Sequence, residues 1–464
     1  MAPRTKKAAA ATPTLTFLGG VGTVTGSKYL LRSKGAAVLI DCGLFQGFKQ
    51  LRLRNWSPLP VDPKKIGAVV LTHAHLDHSG YLPLLVKNGF EGFVYATHAT
   101  RDLCEILLPD SGFLQEKDAA FANKKGFSRH KPALPLYTKD DAMDALGRIR
   151  AVPFGEFREV APGVRVRFRR AGHILGAAIV EATIDGRTVV FSGDLGRSDS
   201  ATMPTPERVE TADYVLIEST YGDRRHSTAD PEDALAEVVN RVAARGGTVL
   251  VPSFAVGRTQ ILLYHIWRLK RSGRIPDLPV FLDSPMAIDA AEIFRRHADD
   301  HRLSPEDCRA MCAVARLVRE PEDSQALDRD PMPKIIVSAS GMATGGRVLH
   351  HLKHFAPDPR NAVLFAGYQA GGTRGRHMVD GAPTVKIHGR HVPIKAEVDN
   401  LDMLSAHADR DGLMAWLRGF RRPPKRTFVV HGEPEAADAL RGQIEEELGW
   451  PVSVPDYRDE EPLD

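Results

Sequence analysis

Six residues, His73-Ala74-His75-Leu76-Asp77-His78, place three imidazoles and a carboxylate directly after the apolar run Ile66-Gly67-Ala68-Val69-Val70-Leu71. A buried strand that ends in such a cluster turns several ligands toward one point at its C-terminal mouth. Neutral imidazole nitrogens with carboxylate oxygens are the donor set of zinc and similar borderline metals. Histidines two apart do not share a helix face, so the cluster reads as a loop chelate and not as a helical i, i+4 pair.

The same architectural position recurs. His173 follows Val164–Phe168 in Ala171-Gly172-His173-Ile174-Leu175-Gly176; Asp194 follows Thr188–Phe191 in Ser192-Gly193-Asp194-Leu195-Gly196; His431 follows Thr427–Val430 in His431-Gly432-Glu433. Each stands where an apolar strand runs into a glycine-bearing loop. Any one alone is an ordinary loop residue, and together they supply what a binuclear site would still need.

Asp41 (in Leu39-Ile40-Asp41-Cys42-Gly43), the HxHxDH cluster, His173 and Asp194 resemble the four successive motifs of the metallo-β-lactamase fold. Glu218 in Ile217-Glu218-Ser219-Thr220-Tyr221-Gly222, His407 in Ser405-Ala406-His407-Ala408-Asp409, and His431 resemble the three motifs added by the β-CASP nuclease branch. The resemblance runs from about Thr14 onward. It is strongest to the group containing the nuclease subunit of the eukaryotic pre-mRNA 3′-end cleavage factor and its compact prokaryotic relatives. No motif position departs from the pattern, which argues against an inactive paralogue.

The resemblance implies an α/β fold: an αββα sandwich with an inserted β-CASP domain, a parallel sheet flanked by helices. It implies two zinc ions, one on His73, His75 and His173 and the other on Asp77, His78 and His431, bridged by Asp194. A zinc pair lowers the pKa of water toward neutrality and stabilises charge on a phosphoryl group in flight. Asp41 is expected behind the ligands, orienting a loop or an imidazole, with a plain strand-end cap as the equal alternative. Glu218 and His407 would form a carboxylate–imidazole pair that protonates the leaving 3′-oxygen.

The rhythm of the chain agrees. Between about 14 and 220, short β-branched runs with glycine turns outnumber helices, as two facing sheets require. The expected strands are Leu15–Leu18, Tyr29–Leu31, Ala37–Ile40, Val69–Leu71, Phe93–Tyr95, Val164–Phe168, Val189–Phe191 and Tyr214–Ile217, with helices at Arg101–Leu108 and Asp140–Ile149. From about 221 to 400, strands alternate with helices, the pattern of a parallel sheet with crossovers. The last stretch, about 401–464, returns to the first domain with His407 and His431. Residues 1–13, charged and then alanine-rich with no apolar core, read as a disordered tail and not a signal peptide.

Three glycine-rich segments of the insert each end a strand and open a helix: Ser253-Phe254-Ala255-Val256-Gly257-Arg258, Ser340-Gly341-Met342-Ala343-Thr344-Gly345-Gly346-Arg347, and Gly371-Gly372-Thr373-Arg374-Gly375-Arg376. Free N–H groups at helix starts and neighbouring arginines bind phosphate, so Ser253, Arg258, Ser340, Gly341, Arg347, Arg374 and Arg376 are the expected substrate contacts. None matches GxxxxGK[ST], so nucleotide hydrolysis is not indicated. The segment Gly19–Ser27 reads as a loop over the metal mouth. His350, His351 and His354 read as surface or packing residues of one helix.

Composition excludes other classes. With 464 residues, 43% apolar and 26% charged, the chain is a globular protein of two to three domains. A net charge of +4 rules out a generally basic nucleic-acid coat and leaves phosphate recognition to a local groove. Four cysteines without a CxxC pair read as reduced thiols in the cytoplasm, and no run approaches the ~20 apolar residues of a membrane helix.

The function expected is zinc-dependent cleavage of single-stranded RNA, endonucleolytic, leaving 5′-phosphate and 3′-hydroxyl ends; a homodimer is left open. The last metal histidine, His431, tilts the substrate toward RNA, because DNA-repair members of the superfamily commonly lack it. A 5′→3′ exoribonuclease of the RNase J kind is the alternative, set back because that group's HGHEDH cluster and C-terminal domain are not read here. A lactamase-like small-molecule hydrolase and a non-catalytic scaffold in an RNA-processing complex are weaker alternatives.

Overall fold

The computed structural model describes residues 12–126 and 128–464, so the expected tail falls almost wholly outside the described residues. Two seven-stranded sheets face each other. The first runs Glu460–Pro462, Thr14–Gly19, Lys28–Ser33, Ala36–Ile40, Ala68–Val70, Phe93–Ala96, Ile149–Ala151. The second runs Val452–Ser453, Arg426–Val430, Tyr214–Glu218, Arg187–Phe191, Ala178–Ile184, Val164–Arg170, Phe157–Ala161. Alternate residues of both sheets (Phe17, Leu31, Val38, Val70 against Val166, Val180, Val189, Leu216) interdigitate as one fully buried layer, the two-period pattern that locks strand register.

Helices cover the outer faces. The longest, His98–Lys125, is capped at both ends, by the Thr97 side chain and by a left-handed Gly126. Ile149, expected to end the helix that starts near Asp140, instead opens the edge strand Ile149–Ala151: that helix stops at Leu146, and Ile149 pairs with Val94. A three-residue edge strand carries too little alternation to be read from sequence.

The third sheet is wholly parallel, in the order Arg316–Leu317, Val280–Asp283, Ile335–Ser338, Val249–Pro252, Ala362–Phe365, Glu397–Asn400. Its central strands, Ile335–Ser338, Val249–Pro252 and Ala362–Phe365, are fully buried because both faces are covered by helices such as Pro231–Ala244, Arg258–Arg271 and Val348–Phe355, whereas the edge strands are polar. The αββα sandwich with a helix-flanked parallel sheet is thus the observed architecture. Loops after Val249–Pro252, Ile335–Ser338 and Ala362–Phe365 leave the carboxyl ends of their strands, where open parallel sheets bind ligands. No helix among the described residues is long and apolar enough to cross a membrane.

Candidate active site

The loops at the ends of the two facing sheets converge. His73 and His78 are buried, and His75 starts the short helix Leu76–Ser79. His173 and Asp194 arrive from the second sheet on loops packed backbone to backbone. A β-carbon at residue 196 would lie 1.9 Å from the Gly172 carbonyl oxygen, so only glycine permits that approach.

Two donor clusters result. In the first, His73 Nε2 is 3.1 Å from His75 Nδ1, His173 Nε2 is 3.3 Å from His75 Nδ1, and Asp194 Oδ2 is 3.4 and 3.6 Å from His73 and His173. In the second, His78 Nε2 is 3.1 Å from His431 Nε2 and 3.2 Å from Asp194 Oδ1, and His431 Nε2 is 3.5 Å from Asp77 Oδ2. Tetrahedral ligands held at about 2.0–2.1 Å from zinc stand about 3.4 Å apart, so both clusters have the spacing of a zinc cage. Each oxygen of Asp194 faces one cluster. Asp194 Oδ1 is buried without a well-formed hydrogen bond, although His78 Nε2 is 3.2 Å away.

The electrostatics favour cations. Asp41, Asp77, Asp194 and Glu218 crowd this one region, and among the described residues none is paired with lysine or arginine. Burial and neighbouring imidazoles hold His73 and His173 well below the usual histidine range, and burial takes His75 to about 4, so these rings are neutral donors. Burial also opposes charge on His78, yet Asp194 and Asp41 lift it well above its ordinary value. Buried carboxylates that gather positive charge in this way, ringed by neutral imidazoles, fit a divalent pair.

Asp41 stands behind the donors. Its carboxylate accepts from His78 Nδ1 at 2.7 Å, from the Thr72 N–H at 2.7 Å and from the Thr72 hydroxyl at 2.9 Å. It therefore orients an imidazole and caps a loop at once. Asp41 and His431 both adopt left-handed backbone, φ 59° and 49°, a strained geometry for residues other than glycine that clusters at functional sites.

His407 lies beside the clusters, its Nδ1 3.2 Å from both Glu218 oxygens and 3.9 Å from Asp194 Oδ2. Burial is the largest influence and pushes its pKa down, but Glu218, Asp194 and Asp77 together make the net direction upward. Glu218 is fully buried and also accepts from the Leu195 N–H at 2.7 Å.

The expected substrate residues divide. Arg258 is buried beside Tyr221, with Nε and Nη1 lacking any partner, and burial lowers its guanidinium to about 10. The loop before it reaches the metal loops: the Phe254 ring is 6.5 Å from that of His75. Gly341 abuts the Phe254 ring. The Ser340 hydroxyl accepts from the N–H groups of Thr344 and Gly345. Arg376 is exposed and bonds Asp380 at 2.9 Å.

Three of the expected contacts bond within the protein. Ser253 is fully buried and bonds Thr259. Arg347 is committed to Asp283 at 2.6 Å and to the Val318 and Arg319 carbonyls. Arg374 clamps the carbonyls of Lys386, Ala343 and Thr344. These bonds fasten the insert's loops.

Sequence reasoning missed several supports. Thr72 holds Asp41, Thr220 meets His431 Nδ1 at 3.2 Å, and His226 bonds the His407 carbonyl at 2.9 Å. The one available signal was adjacency, since Thr72 and Thr220 border matched motifs. His351, read as surface or packing, is fully buried between Asp283 and Asp328, 2.6 Å from each.

Comparison with known proteins agrees with this geometry. Residues 36–251 match the Beta-lactamase superfamily domain, 259–378 the Beta-Casp domain, and 391–455 the Zn-dependent metallo-hydrolase RNA specificity domain. "Ribonuclease TTHA0252" of Thermus thermophilus is 39% identical over 94% of this chain and 96% of its own length. "Transcription termination factor FttA" of Methanosarcina mazei is 33% identical over 94% and 69%. An "RNase J-like protein" of Methanocaldococcus jannaschii is 29% identical over 95% and 97%. A crystal structure of a protein of unknown function from Enterococcus faecalis V583 shares the fold, at 15% identity and a TM-score of 0.54 over 97% of this chain and 100% of that one. The chain belongs to the β-CASP branch of the metallo-β-lactamase superfamily, a family of zinc-dependent metallo-hydrolases.

Proposed function

We propose that this chain is a zinc-dependent endoribonuclease that cuts single-stranded RNA internally and leaves 5′-phosphate and 3′-hydroxyl ends. The observation that carries the reading is a single carboxylate, Asp194, offering one oxygen to each of two donor clusters, with the His407–Glu218 pair beside them. His73, His75 and His173 would hold one zinc, and Asp77, His78 and His431 the other. When bound, such a pair supplies Lewis-acid charge for a phosphoryl group and acidifies water.

The chain's own residues complete the chemistry. Asp41 fixes His78 through Nδ1, which leaves Nε2 as the donor. Glu218 fixes His407 through Nδ1 and favours its protonated form, so Nε2 hands a proton to the leaving 3′-oxygen. Arg258, the least compensated cation near the site, would face an RNA phosphate. We assign the metal domain to about 14–220 and 401–464 and the insert to about 221–400. The names of the relatives, a ribonuclease and a transcription termination factor, support RNA as substrate.

The test is purified protein on circular and linear single-stranded RNA. We expect the circle to be opened, and a 5′-triphosphate to leave cleavage of linear RNA unhindered. A second reading, a 5′→3′ exonuclease, is favoured by the likeness to the RNase J-like protein across 97% of that protein. Intact circles with mononucleotides released from 5′-monophosphorylated RNA would establish it instead.

A further inference from the structure

Lys28 opens the strand Lys28–Ser33 at 1% exposure, and among the described residues no carboxylate lies within ion-pairing distance of it. Its ammonium donates to the Gly43 carbonyl and, at 3.4 Å, to the Gly26 carbonyl. The Phe45 and Tyr81 ring centroids are each 4.7 Å away. A buried cation without an anion costs several kcal/mol. Here two carbonyl dipoles and two aromatic rings take the place of water.

The Gly43 carbonyl belongs to the turn that leaves Asp41, and that turn is the floor under the second donor cluster. The Cys42 N–H donates to the His78 carbonyl at 2.7 Å and the Leu44 N–H to the Leu76 carbonyl at 2.8 Å. The Ser27 N–H donates to the Asp77 carbonyl at 2.9 Å, and the Gly43 N–H to the Ser27 carbonyl at 3.0 Å. A β-carbon at residue 43 would sit 1.6 Å from the Asp77 carbonyl oxygen, so floor and ligand backbone touch. Lys28 joins this floor, at Gly43, to the neighbouring loop at Gly26.

We infer that Lys28 is a positioning residue: by clamping the Gly26 and Gly43 carbonyls it fixes Asp77 and His78 opposite His431, without itself touching metal or substrate. His173 hangs from another loop, and although His73 and His75 share the segment of Asp77 and His78, the floor's hydrogen bonds end on the Leu76, Asp77 and His78 carbonyls and on neither of them. The inference rests on the two-zinc reading above, and it predicts an asymmetry between the two ions.

The experiment is a chelator titration of the full-length zinc-loaded protein, with zinc per chain read by mass spectrometry. Lys28→Met keeps the stem and removes the charge. It should release one zinc at chelator concentrations about 10–100-fold below those needed for wild type, the usual penalty for removing support behind a ligand, while the other zinc is held as before. Lys28→Gln, whose amide can still donate to Gly43, should fall between them and serves if the methionine variant fails to fold. Identical release curves, or parallel weakening of both ions, would overturn the positioning role. A wild-type protein that holds fewer than two zinc ions would instead overturn the two-zinc reading on which it stands.

Discussion

Replacing His407 by alanine separates proton transfer from metal binding. The imidazole Nδ1 is 3.2 Å from both Glu218 oxygens and 3.9 Å from Asp194 Oδ2, while its ring packs on that of His173 with centroids 4.4 Å apart and no hydrogen bond between them. Glu218 keeps the Leu195 N–H at 2.7 Å and the Thr220 N–H at 3.3 Å, and the backbone at 407 keeps its pairing with Gly196, so the fold and zinc content should persist. Loss of a general acid lowers the rate by about 10²–10⁴-fold, or about 3–5 kcal/mol of barrier. The assay is single-turnover cleavage of end-labelled RNA, alongside zinc analysis. A substrate with sulfur in place of the leaving 3′-oxygen needs no protonation, so the variant should cut it nearly as fast as wild type does. Equal slowing on both substrates would refute leaving-group protonation, and loss of zinc would make His407 a ligand.

Asp194→Ala should drop zinc below two per chain and abolish cleavage; full occupancy would refute a shared carboxylate. Arg258→Gln should weaken binding of uncleavable RNA and flatten its salt dependence by about one unit of slope, with zinc unchanged; unchanged binding and slope would refute the phosphate contact. Arg347→Gln should instead leave RNA affinity alone and destabilise the insert by about 3 kcal/mol, near the lower end for an orphaned buried charge because His351 still bonds Asp283. A denaturation midpoint like that of wild type would return Arg347 to the cleft.

The residues of the two donor clusters were legible because each is a local event, a histidine or aspartate at the end of an apolar strand. The carboxylate–imidazole pair was legible only through resemblance, since 189 positions separate Glu218 from His407. What could not be read was which arginines the fold itself consumes. Gly-Arg segments read as phosphate cradles, but Arg347 and Arg374 are used on the protein's own carbonyls and on Asp283, acceptors that the fold delivers from distant loops. His351 was left between surface and packing because nothing near it in sequence announces Asp283 or Asp328. Hydroxyl supports such as Thr72 and Thr220 are too common a residue type to carry a signal alone.

The insertion also has a geometric logic. The strand ending at Glu218 pairs in parallel with the strand ending at Val430, Glu218 opposite Val430, so Glu218 and His431 stand at neighbouring strand ends. The chain leaves the second sheet at one and returns at the other, so what is inserted between need only bring its ends together. The insert then folds on a sheet and core of its own and sends loops back over the donors: Phe254 against His75, and Gly371 and Gly372 against the Phe48 ring. On the function proposed above, chemistry sits on the strand ends of one domain, and the surface that selects the substrate sits on loops of another. A change in the insert's loops should alter which substrate is held while leaving the donor geometry in place.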